Sequence, residues 1–174
     1  MKRAELEAAR SRRVPDLIRS GLSILFVGVN PGLYSAAVGH HFARRGNRFW
    51  PTLALAGLTP ERLSPDDERK LLDLGIGITN VVSRATATAD ELSSDELASG
   101  ARRLAAKVRR FEPKIVAILG ITAYRTAFQR PDATLGKQPE MLGRSTIWVL
   151  PNPSGLNAHY QLPELGRLFA QLPA

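Results

Sequence analysis

Ile24-Leu25-Phe26-Val27-Gly28-Val29-Asn30-Pro31-Gly32 is the stretch on which the reading of this chain turns. Residues 24–27 form an unbroken apolar run of the length expected for a fully buried strand. The glycines and the proline behind it stop that strand abruptly. A polar amide, Asn30, sits inside the stop. In an open parallel sheet ligands bind outside the carboxyl ends of the strands, so this is where chemistry would be placed. Asn-Pro-Gly also makes turns for backbone reasons alone, and the pentapeptide gains weight only from a second loop of the same kind. That loop is Pro151-Asn152-Pro153-Ser154-Gly155-Leu156-Asn157, again behind an apolar strand, Ser145 to Leu150. A leucine at a loop tip between Gly155 and Asn157 either packs back on the core or serves as a wedge. Proteins that distort duplex DNA push apolar side chains between its bases.

Further strands are expected at 75–80 and 114–120, the latter unbroken in its apolar run as at the centre of a parallel sheet. Helices are expected at 48–57, 64–74, 94–111, 121–130 and 163–172. The longest, Ser94 to Phe111, carries Leu97, Ala101, Leu104, Ala105 and Val108 at helical spacing as its buried stripe. Its Arg102, Arg103, Lys107, Arg109 and Arg110 read as a solvated face. Residues 33–47 read as one long polar loop and 81–90 as a second irregular one, holding Arg84, Thr86 and Thr88. Long loops in compact domains are often binding loops. Residues 1–20 read as a basic helical segment. Arg10, Arg12 and Arg13 belong to a solvated face or a mobile terminus, with phosphate contact as the other reading, and a short helical turn covers Asp16 to Ser20. Strands alternating with helices predict a three-layer α/β/α sandwich with a mostly parallel central sheet. With no internal repeat and no linker, residues 1–174 read as one domain.

Composition narrows the chemistry. A formal net charge of +8 points to a polyanionic partner, nucleic acid before an anionic membrane surface. The absence of cysteine excludes a disulfide framework, a Cys-ligated zinc site and a thiolate-held iron–sulfur cluster. Three histidines, two of them adjacent (His40, His41), make a poor metal site without further ligands, so neither metal nor cofactor is expected. No apolar run has the length of a membrane span and no secretory signal opens the chain, which predicts a cytoplasmic protein with access to DNA and no membrane partner.

Five ordered segments carry a resemblance: Gly28-Val29-Asn30-Pro31-Gly32, Gly39-His40-His41-Phe42, Gly46-Asn47-Arg48-Phe49-Trp50, Gly77-Ile78-Thr79-Asn80 and Asn152-Pro153-Ser154-Gly155-Leu156. In their order and spacing the chain resembles the mismatch-specific uracil/thymine-DNA glycosylases, bacterial mismatch-uracil enzymes and their eukaryotic thymine-DNA relatives, within the uracil-DNA glycosylase superfamily. The resemblance implies a monomeric, cofactor-free glycosylase acting on double-stranded DNA with G·U or related mispairs, as part of base excision repair. It implies that Asn30 positions water at the sugar C1′, that Val29 offers its backbone N–H to the base, and that Phe42 stacks on the everted ring. Gly32 stands where strict uracil enzymes carry a tyrosine that blocks the thymine methyl, which implies a permissive pocket. Asn80 is implied to face the base or the water, and Thr86 to line the same pocket. Ser35 and Ser154 are implied to hold flanking phosphates, and Gly155, Leu156 and Asn157 to form the wedge that reaches the orphaned guanine. His159 reads as a surface histidine. Asn80 and His40-His41-Phe42 resemble the eukaryotic type and the 152–156 loop the bacterial type, so uracil, thymine and damaged pyrimidines all stand as substrates.

Two other readings compete. One is a non-catalytic mismatch or abasic-site binding module with the same fold, against which Asn30 and the intact wedge argue. The other is a nucleotide-binding α/β enzyme with Gly28 and Gly32 cradling a phosphate. It lacks both the Gly-x-Gly-x-x-Gly spacing and a Gly-Lys-Ser/Thr.

Overall fold

The computed structural model describes residues 1–173. Its centre is a five-stranded sheet in the order β2-β1-β3-β5-β4. The strands are β1 (Ile24–Gly28), β2 (Ile76–Asn80), β3 (Ile115–Leu119), β4 (Gly136–Leu142) and β5 (Ser145–Leu150). The first three and β5 run parallel, and β4 pairs antiparallel with β5 at one edge. The helices are α1 (Arg3–Ala8), α2 (Leu33–Val38), α3 (Phe49–Leu55), α4 (Lys70–Asp73), α5 (Ser94–Phe111), α6 (Ile121–Ala127) and α7 (Leu162–Phe169). This is the expected layered sandwich, and the alternation of side chains along each strand explains why it needs two helical layers. Leu25, Val27, Val116 and Ile118 point to one face and pack under α5 and α6. Ile24, Phe26, Ile78 and Ala117 point to the other and pack against Phe49, Leu53, Leu165 and Phe169 of α3 and α7. Both faces are covered, as a parallel sheet requires.

Because the four parallel strands share one direction, their carboxyl ends share one edge of the sheet. The loops after β1, β2 and β5 therefore emerge on the same edge, with β3 between β1 and β5, although their sequences are far apart. That edge is where the Asn30 and Leu156 loops meet.

Helix α5 begins and ends where its pattern predicts. The Ser93 hydroxyl accepts from the Glu96 N–H (3.1 Å) and the Glu96 carboxylate from the Ser93 N–H (2.9 Å), a reciprocal cap. Several expectations need correction. Residues 16–20 are not helical: Leu17 forms an antiparallel bridge with Ile78 beside β2. In the N-terminal segment Arg12 and Arg13 are exposed, as a solvated face requires, but the segment also docks on the domain. Ala9 is fully buried against Leu33, Ala36 and Ala85, Arg10 binds Glu7 and Glu91, and Arg12 donates to the Ala37 carbonyl. The expected 33–47 loop starts with a helix, α2, closed by Gly39 in the left-handed region. The 64–74 helix is split into a 3₁₀ turn, Pro65–Asp67, and the single turn α4. Strand β4 was not expected from its sequence. Lys107 is not part of a solvated face, since its ammonium reaches Asp16 and the Thr79 hydroxyl.

Candidate active site

A cavity of about 130 Å³ opens at the carboxyl edge, and both distant loops line it: Asn30 from one side, Ser154 and Leu156 from the other. Its walls also include Val29, Gly32, Phe42, Asn80 and Thr86. The residues expected to act on the base are thus brought together around one space.

Asn30 is the most constrained polar group in it. Its Nδ2 donates to the Thr86 hydroxyl (2.7 Å) and to the Arg84 carbonyl (2.8 Å). Thr86 is 1% exposed and spends its own hydroxyl proton on the Thr88 carbonyl at 2.7 Å. The Thr86 oxygen can therefore only accept from Asn30, which settles which end of the amide is nitrogen. The Asn30 Oδ1 is left without a protein donor among the described residues, on a side chain that lines the cavity. An amide oxygen held in one orientation can accept a proton from water and aim it, while remaining too weakly basic to remove that proton outright. The support is itself tethered. Arg84 holds Glu96 at 2.8 Å, and the charge-assisted bond from that guanidinium lowers the Glu96 carboxyl to about 2.

The backbone beside Asn30 is shaped by close approach. A methyl group at Gly28 would fall 2.6 Å from the Asn80 Oδ1 and 3.4 Å from the Phe42 ring, so only glycine lets that amide and ring close over the strand end. The Val29 N–H donates to no group among the described residues, while the Val29 carbonyl accepts from Val82. Gly32 is different: its φ is ordinary (−72°) and a Cβ there would meet nothing within 4 Å. The absence of a side chain at 32 enlarges the cavity rather than serving the backbone.

Phe42 sits at φ +51°, a left-handed conformation that a bulky residue adopts only when its surroundings enforce it. The enforcement is visible. The buried Glu68 carboxylate accepts from the His41 N–H (2.8 Å) and contacts His40 Nδ1 (3.0 Å). The His41 ring, 3% exposed, bonds the Pro15 carbonyl through Nε2 (2.8 Å). Burial dominates and keeps the His41 imidazole below its usual range, against the pull of the Pro15 carbonyl and the Glu68 and Asp16 carboxylates. A neutral ring with its proton on Nε2 satisfies the Pro15 bond. One face of Phe42 rests on Phe49, centroids 4.1 Å apart, and the ring edges the cavity.

The second loop is braced from α3. Arg48 donates its backbone N–H to Pro153 (3.0 Å) and its guanidinium to the carbonyls of Ser154 (2.6 Å), Asn157 (2.9 Å) and Tyr160. A Cβ on Gly155 would lie 2.8 Å from the Gly46 carbonyl, so the 44–48 turn presses directly on the tip. Leu156 is left 65% exposed, which excludes the reading that it packs back on the core. Asn157 is engaged within the loop, its Nδ2 on the Asn152 carbonyl (3.0 Å) and its Oδ1 accepting from His159 (3.1 Å). Its side chain braces the loop as the structure stands. The Ser35 hydroxyl is also occupied as an acceptor, from the Ala43 N–H at 3.0 Å, and clasps the loop just past Phe42. The Ser154 hydroxyl accepts from Leu156 at 3.3 Å.

Sequence reasoning missed Arg48, Glu68 and Val14, the last of which also lines the cavity. Arg48 lay in a quoted segment but read as a helix start. Glu68 read as one acidic residue of a first helical turn, and nothing in the string announces its burial.

Residues 15–172 match the model of the Uracil DNA glycosylase superfamily. The solution NMR structure of a candidate uracil DNA glycosylase from Methanosarcina acetivorans is similar in fold, with a TM-score of 0.58 and 18% identity over 92% of this chain and 97% of that one.

Proposed function

The chain belongs to the uracil DNA glycosylase superfamily, and from that premise we propose that it excises uracil from mispairs with guanine in duplex DNA. The wider substrates are thymine and damaged pyrimidines in the same mispair. The observation that carries this reading is the pairing, around one cavity, of an orientation-locked amide at Asn30 with an exposed apolar tip at Leu156.

The sugar bond of a stacked base is out of reach, so the nucleotide must be everted into the cavity. Leu156 fills the space vacated in the stack. Phe42, backed by Phe49, gives the everted ring a face to lie on. As the N-glycosidic bond breaks, its electron pair goes to the departing base. The Val29 N–H, free of any protein acceptor among the described residues, donates to a base carbonyl oxygen and stabilises that developing charge. Water held by the Asn30 Oδ1 adds to C1′ of the oxocarbenium-like sugar, its proton passing to solvent or to the base anion, and an abasic site remains. Among the described residues no lysine lines the cavity, which supports hydrolysis by water over an enzyme-bound sugar intermediate.

Eversion costs a few kcal/mol and least where pairing is already weak. A site without a strong general base then works mainly on mispairs. The deciding experiment incubates the protein in excess with a G·U duplex and cleaves abasic sites with alkali. Strand breaks at the uracil are the expected result. Mismatch binding without breaks would replace this reading by that of a non-catalytic module.

A further inference from the structure

Residues 13–17 run as a strap across the outer side of β2. Leu17 and Ile78 exchange both backbone hydrogen bonds (2.9 and 2.8 Å), and Gly77 beneath has no room for a Cβ against the Leu17 carbonyl. The Pro15 carbonyl is held by His41, and the Asp16 carboxylate by the Thr79 hydroxyl (2.8 Å) and the Lys107 ammonium. These attachments, at the three residues directly after it, anchor Val14 at the head of the strap. Val14 is 7% exposed and turns toward the active-site cavity.

Behind Val14 lies a second cavity of about 630 Å³, edged by Arg13, Arg103, Leu104 and Lys107. Among the described residues Val14 and Asn80 alone line both spaces. The two residues stand where a cavity of about 130 Å³ borders one several times larger. The superfamily match begins at residue 15, so Val14 lies just outside it.

We propose that Val14 is a specificity-determining residue: it is the wall that limits the size of the pyrimidine admitted. This rests on the proposed function. An apolar wall discriminates by about 10- to 200-fold per methylene, and here the wall has space behind it rather than packed core. Shortening it joins the cavities instead of collapsing the site, whereas lengthening it narrows the smaller one.

The test compares kcat/KM for uracil with that for pyrimidines enlarged at C5 or across N3 and N4, all opposite guanine. Val14→Ala is expected to raise the enlarged-to-uracil ratio about tenfold, and Val14→Leu to lower it. A wall with only a structural role would slow all substrates by one common factor, and an unchanged ratio in both variants overturns the proposal. Should the wild type release no base from any duplex, the function proposed above falls, and Val14 is decided by direct binding. Free uracil and its enlarged analogues are then titrated while the Val14 and neighbouring methyl resonances are followed. Tighter binding of the enlarged analogues to Val14→Ala than to wild type supports the wall, and equal affinities overturn it.

Discussion

The Asn30 amide and the Thr86 hydroxyl form a one-way hydrogen bond of 2.7 Å, because Thr86 has already donated its proton to Thr88. The functional consequence is that the Asn30 Oδ1 cannot exchange places with its Nδ2. Asn30→Ala is expected to lower single-turnover excision by about 100-fold or more with mismatch binding largely kept. Thr86→Val, which keeps shape but removes the acceptor, is expected to cost about tenfold through rotation of the amide. Rates measured on a G·U duplex with enzyme in excess check both. An unchanged rate in Asn30→Ala removes this residue from the mechanism.

Leu156 and Arg48 divide the work of the second loop. Leu156→Ala removes the apolar tip while sparing its supports, so retention on abasic product should weaken. Arg48→Met leaves the tip but deletes the bonds to the carbonyls of Ser154, Asn157 and Tyr160. It should weaken product affinity by a similar factor and also raise the proteolytic sensitivity of residues 152–160. Competition binding to an abasic duplex reads the first effect, and equal affinity for wild type and Leu156→Ala would count against the wedge.

Position 32 offers the most direct control of pocket size from the front. Its backbone tolerates a side chain and a Cβ there meets nothing. Gly32→Tyr is expected to fold normally and to suppress excision of thymine and other enlarged pyrimidines far more than that of uracil. Parallel loss on every substrate, with an unchanged melting temperature, would show that the side chain blocks eversion itself.

His41 predicts a pH dependence of stability. Its folded-state pKa lies below the ordinary imidazole value of about 6.5, chiefly through burial. The unfolded chain therefore binds the proton first as pH falls. The contribution of this group is complete above about 6.5 and is lost as pH falls below it. Urea unfolding between pH 8 and pH 5 should show stability declining on the acid side. In His41→Gln, whose amide can still donate to Pro15, the decline should be shallower. Identical slopes would place the titration elsewhere.

What the sequence disclosed follows physical lines. Helix α5 was legible to the residue because its apolar period and its Ser93–Glu96 cap agree. The strands β1 and β3 were legible because buried parallel strands are apolar on both faces, and β5 through its apolar second half, Ile147 to Leu150. Strand β4 was not, since Gly136-Lys137-Gln138-Pro139-Glu140 is the composition of an edge, where proline and charge are tolerated. Helix α2 was hidden by glycines on both sides of six residues. The strap failed for a different reason: Pro15 and Asp16 look like a helix start, and only Ile78, Thr79, Lys107 and His41, all distant in sequence, hold them extended. In the site, Asn30 and Leu156 were visible as misfits, a polar group and an exposed leucine at strand ends. Their supports were invisible because Arg48 and Glu68 act through backbone groups that carry no residue-specific signature.

Helix α3 carries Arg48 at its entrance and Phe49 in its first turn. One residue grips the loop that bears Leu156, and the next props the ring of Phe42. The loop that the proposed function assigns to the duplex and the ring that it assigns to the base are thus both held from adjacent positions of one short rod. On the proposed function, a duplex pressing on the Leu156 loop and a base lying on Phe42 load neighbouring residues of α3, which couples insertion to capture.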